Sequence, residues 1–100
     1  MGRRGRASAD ADRVDQTIRL KQERQRAEEA DRLLSSKVLN DALQSMRKQA
    51  HDLIEKSDPA DKDGRERLYM FLLAVRKFED QLTLFVKKGQ MAELRMGDNG

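Results

Sequence analysis

The sequence predicts an all-α protein, and three observations carry the prediction. Leu68, Phe71, Val75, Phe78, Leu82 and Phe85 step by three and four through the stretch from Gly64 to Lys88, spacing that lines them along one side of a helix. Leu39, Leu43, Met46, Ala50 and Leu53 repeat that spacing between Lys37 and Lys56. Period-two alternation, the mark of a half-buried strand, is nowhere long enough to assign. The expected architecture is an antiparallel helical hairpin, about 37–56 and 59–88, preceded by a long charged helix in a three-helix or extended arrangement.

Taken in order, residues 1–7 hold Gly2-Arg3-Arg4-Gly5-Arg6, read as a flexible basic tip. Ser8 can cap a helix whose first turn carries Asp10 and Asp12, acids that suit the positive end of the dipole. Residues 8–34 form the charged helix. Arg19 with Glu23, Arg24 with Glu28, and Glu28 with Arg32 are spaced to pair along it. Its apolar content is sparse: Val14 and Ile18 stand alone, and only Ala27, Ala30, Leu33 and Leu34 resume a face. The expectation is a partly exposed helix whose last turns dock on the hairpin while its N-terminal half stands away or orders against a partner.

The hairpin module spans residues 35–96. Ser35-Ser36 breaks the pattern, and either hydroxyl can cap the helix carrying the leucine seam, which Val38, Ala42 and Ile54 flank. Ser57-Asp58-Pro59-Ala60-Asp61 ends that helix and makes a short antiparallel connection, with Asp58 as cap and Pro59 suited to a first helical position. The next helix starts either at Pro59 or after Gly64. Gly89 stands where a left-handed cap would stop it, behind Lys87 and Lys88, leaving a short added turn around Met91 and Leu94 before a frayed tail, 97–100.

The Phe stripe of this last helix reads as core. Beyond it Leu72, Leu73 and Val86 form a second apolar flank, with Met70 and Leu84 further round. A single neighbouring helix would leave Met70, Leu73 and Leu84 outside, so these three, with Val14 and Ile18, are the expected partner interface.

Composition points the same way. A chain of 100 residues with 39% charged and 4% aromatic side chains supports only a thin core, and without cysteine and with one histidine it lacks the usual staples of small domains. A homo-oligomer or a larger protein assembly is the expected remedy. The missing cysteines suit a reducing compartment, no secretory signal pattern is present, and no apolar run approaches the roughly 20 residues that span a bilayer. The expectation is a soluble intracellular protein. Its net charge of +3 is spread among interleaved acids and bases, apart from the N-terminal tip.

Chemistry-bearing constellations are weak. His51 and Asp52 adjoin, but consecutive helical residues diverge by about 100 degrees, so His51 reads as a surface side chain. Asp58, Asp61 and Asp63 lack the alternation and distal glutamate of a calcium loop and read as caps. No phosphate-cradling glycine loop and no nucleophile with its base can be placed, so no catalytic, cofactor or metal site and no small-molecule substrate is expected. Arg76, Lys77, Lys87 and Lys88 could meet phosphate, although Glu79 and Asp80 dilute their field.

Arg32-Leu33-Leu34 before a polar break, Leu39-Asn40-Asp41-Ala42, Ser57-Asp58-Pro59 with Gly64-Arg65-Glu66-Arg67-Leu68-Tyr69, and Gly89-Gln90-Met91-Ala92 follow one another in an order that resembles small helical proteins from the structural gene clusters of tailed bacteriophages. The likeness covers roughly the last two-thirds of the chain. It implies a non-enzymatic role in virion assembly or attachment to a head or tail component, in the host cytoplasm or incorporated in the virion, and it transfers no catalytic or binding residue. The alternative is a small packaging or regulatory protein that contacts nucleic acid through Arg3, Arg4 and Arg6.

Overall fold

The computed structural model describes the backbone of residues 2–98 and the side chains of residues 11–97. Three helices follow one another: α1 (Gly2–Leu34), α2 (Lys37–Lys56) and α3 (Lys62–Asp98). The described residues contain no strand, as the sequence predicts. The start expected at Ser8 lies instead at Gly2, so residues 2–7 are helical in backbone rather than a loose tip. No proline interrupts them, and extending an existing helix adds one hydrogen bond for each residue fixed. Of the expected tail, Gly97 and Asp98 remain in α3, and residues 99–100 lie outside the described part.

Local hydrogen bonds set the two junctions. Ser36 caps α2, its hydroxyl accepting from the Leu39 N–H at 3.2 Å. The Asn40 side-chain amide donates to the carbonyls of Leu34 and Ser36, each at 2.9 Å, so one residue of α2 closes the C-terminal end of α1. At the other end of α2, the Ser57 hydroxyl donates to the Ile54 carbonyl at 2.6 Å. The cap of α3 is Asp61 rather than Asp58: its Oδ1 accepts from the Gly64 N–H at 3.0 Å, while Asp58 accepts from the Ala60 N–H at 2.9 Å inside the turn. Pro59 therefore belongs to the turn, and α3 begins at Lys62, between the two expected starts.

Gly89 does not stop α3. The helix passes through it to Asp98, and no described glycine has a positive φ. The residue acts in packing: a Cβ built there would overlap Ala27 Cβ and lie 3.2 Å from the Glu23 carbonyl oxygen of α1. Around this approach Leu20, Ala27 and Ala30 of α1 and Leu82 and Ala92 of α3 are buried. Small side chains let two backbones come close, so the C-terminal half of α3 packs more intimately on α1 than its N-terminal half does on α2, and α1 and α2 barely meet. The expectation that α1 merely docks its last turns on a hairpin core is thus corrected. Among its described side chains burial begins at Leu20, and residues 11–19 are exposed, Val14 and Ile18 among them.

The result is a layer one helix thick. The molecule measures 72 × 32 × 16 Å, and the thinnest dimension is little more than a helix diameter of about 10–12 Å. Its radius of gyration is 21.6 Å, against about 13 Å for a 100-residue chain folded around one centre. Its accessible surface is 8463 Å², against roughly 5,800 Å² expected for its mass. Half of the buried apolar residues are alanines. The pairings expected between Arg19 and Glu23, Arg24 and Glu28, and Glu28 and Arg32 do not close. Arg32 donates instead to the Glu28 carbonyl at 3.4 Å, and the ion pair among the described residues is Arg47 with Glu79.

Candidate partner interface

Between α2 and α3 the two flanks of the contact differ. Leu43 and Ala50 of α2 and Val75 of α3 are buried along the seam. Because the helices are antiparallel, positions turned by the same sense from the seam lie on the same side of the layer. On one side Arg47 meets Glu79 and closes the gap. On the other, Met46 and Leu53 of α2 and Phe71 and Phe78 of α3 stay open, with exposures of 38%, 56%, 39% and 46%. Phe71 and Phe78, read from the sequence as core, are therefore surface residues in this chain. The third phenylalanine, Phe85, is half-buried because it lies alongside α1, where the Arg26 guanidinium sits 5.2 Å from its ring centroid. No helix of the chain covers the other two, since α1 is engaged further along α3.

All five residues expected at a partner interface are exposed: Met70, Leu73, Leu84, Val14 and Ile18. The structure does not bring them together. Met70, Leu73 and Leu84 fall on the side of α3 turned away from its seams with α1 and α2. Val14 and Ile18 lie on the far side of α1 from Leu20, at the opposite edge of the layer. The α3 group continues into Met91 and Leu94, both exposed because the helix does not end at Gly89. An open depression on this outer side is lined by Lys77, Asp80, Gln81, Thr83, Leu84 and Lys87. Two apolar surfaces thus emerge on α3: a Phe flank shared with α2, and an outer stripe.

The Phe flank escaped the sequence reading because periodicity alone does not say how far a neighbour reaches. One signal was present. Ala27 and Ala30 on α1 and Gly89 and Ala92 on α3 are small residues at matching spacing, which favours a close crossing there and leaves the N-terminal half of α3 with α2 alone.

The remaining candidates have ordinary surroundings. His51 is exposed. Asp58 and Asp61 direct carboxylate oxygens at backbone N–H groups, and among the described residues no three His, Cys, Asp or Glu side chains converge as a metal site would require. Lys77 and Lys87 share their surface with Asp80. The side chains of Arg3, Arg4 and Arg6 lie outside the described part. No described helix is long and apolar enough to cross a membrane. No family model, curated protein or solved structure matches the chain.

Proposed function

We propose that this chain is a non-enzymatic assembly protein, a virion structural or assembly component of a tailed bacteriophage that acts by helix-mediated self-association or by docking on a larger head or tail component. The observation behind the assembly part is the apolar surplus: Met70, Leu73, Phe78 and Leu84 are each more than 40% exposed on a layer one helix thick. Large apolar side chains left exposed in such number on a thin chain mark interaction sites, and burying them between molecules would stabilise the fold through the same contacts. The phage setting draws support from the order of sequence features through the last two-thirds of the chain. The test of assembly is light scattering after size exclusion together with melting at several protein concentrations. A mass above 11.5 kDa and a melting temperature that rises with concentration are expected. A monomer with concentration-independent melting overturns self-association, and loss of co-purification with every head and tail component of the same phage overturns docking.

The basic Arg3-Arg4-Gly5-Arg6 run favours a second reading, a small packaging or regulatory protein bound to nucleic acid. Salt separates the two: phosphate contacts weaken steeply with ionic strength, and apolar association does not.

A further inference from the structure

The outer stripe of α3 has a charge pattern that selects its own partner. From Met70 the outward positions alternate by three and four residues through Leu73, Lys77, Asp80, Leu84 and Lys87, all exposed on a helix unbroken from Lys62 to Asp98. This is the seam spacing of a two-stranded coiled coil, yet its centre is one cation and one anion. Laid parallel and in register on a second copy, Lys77 would meet Lys77 and Asp80 would meet Asp80. Laid antiparallel with Lys77 against the partner's Asp80, the same register sets Leu73 against the partner's Leu84 and Met70 against the aliphatic stem of the partner's Lys87. Every facing pair then sums alike, 77 with 80, 73 with 84 and 70 with 87, as one two-fold axis requires. A slip of one heptad towards the C-terminus pairs Leu73 with the partner's Met91 and Met70 with the partner's Leu94, but sets Lys77 opposite the partner's Lys87 and Asp80 opposite the partner's Leu84. The opposite slip sets Lys77 on the partner's Leu73 and Asp80 on the partner's Met70. Both leave the two central charges without an opposite charge, which counts against them.

We infer that the outer face of α3 is a homodimer interface, antiparallel and centred between Lys77 and Asp80, with two reciprocal Lys77–Asp80 ion pairs flanked by two Leu73–Leu84 contacts. The inference rests on the self-associating form of the proposed function and names its partner as a second copy of this chain. The contact runs from Met70 to Lys87 of each copy; beyond it Met91 and Leu94 would face the partner's Glu66 and the partner's Asp63 and lie outside the apolar part of the interface. The Phe flank remains open in the dimer, because it lies on a different side of α3.

The chain contains no cysteine, so disulfide trapping reads the register directly. The Leu73→Cys, Leu84→Cys double variant is expected to give a covalent dimer under a mild oxidant, and neither single variant should. In the proposed register two Leu73 positions are offset by eleven residues, roughly 16 Å along the axis, well beyond the Cα separation of about 7 Å at which a disulfide closes. In parallel, Asp80→Lys is expected to weaken dimerisation at least tenfold by light scattering, and the swap Lys77→Asp with Asp80→Lys to restore it, with circular dichroism reporting that each variant stays helical. Trapping by Leu73→Cys alone, or an Asp80→Lys protein that dimerises like the parent, overturns this interface. Dimerisation of that variant leaves self-association standing through another face. A parent chain that stays monomeric at all concentrations overturns both.

Discussion

Gly89 of α3 lies against Ala27 of α1 so closely that the two positions cannot both carry an unshifted methyl group. In a helix interior glycine costs roughly 1 kcal/mol relative to alanine, so its presence in the middle of α3 needs an offsetting gain. The gain is the crossing itself, which brings Leu20, Ala30, Leu82 and Ala92 out of water.

Gly89→Ala is accordingly expected to lower stability by about 1–3 kcal/mol through overpacking, even though it raises helix propensity. Ala27→Gly in the same chain should recover part of the loss. A double-mutant cycle by urea unfolding checks this, and additive effects of the two changes would mean that the residues do not touch.

Leu82 and Phe78 are two turns of one stripe with different surroundings, 7% and 46% exposed. Leu82→Ala should cost about 2–5 kcal/mol, the range for emptying a core site. Phe78→Ala should cost clearly less than Leu82→Ala in dilute protein, where no second molecule covers the ring. Equal losses in urea unfolding would show that the Phe flank is covered even at low concentration.

The cap of α3 gives a third test. Asp61→Ala removes the acceptor of the Gly64 N–H and should cost about 1 kcal/mol. Asp58→Ala disturbs only the turn and should cost less. A larger effect at Asp58, measured by thermal unfolding, would move the start of α3 back towards Pro59.

Replacing Arg3, Arg4 and Arg6 by alanine should leave the melting temperature unchanged. Among the described side chains of α1 burial starts only at Leu20, and cations near a helix N-terminus oppose the dipole rather than support it. DNA binding measured at two salt concentrations completes the experiment. Strong salt-sensitive binding that disappears with the three arginines would favour the nucleic-acid reading.

Local rules in the sequence settled a good deal. The leucine seam and the Phe stripe each sit on one helix, as their spacing dictates, and Ser36 caps α2 because a hydroxyl at that position meets a free N–H. The exposure of Met70, Leu73 and Leu84 was also legible, since they lie too far round α3 for one neighbour to cover. What α3 packs against was decided by tertiary structure. Periodicity states which side of a helix is apolar, but the depth and position of a crossing depend on how two surfaces fit. Here the small residues Gly89, Ala92, Ala27 and Ala30 draw α1 onto the far half of α3. That choice turned Gly89 from a stop into a contact and left Phe71 and Phe78 without a cover, because neighbours lying in a single layer with α3 bury the edge they touch and leave the side above the seam open.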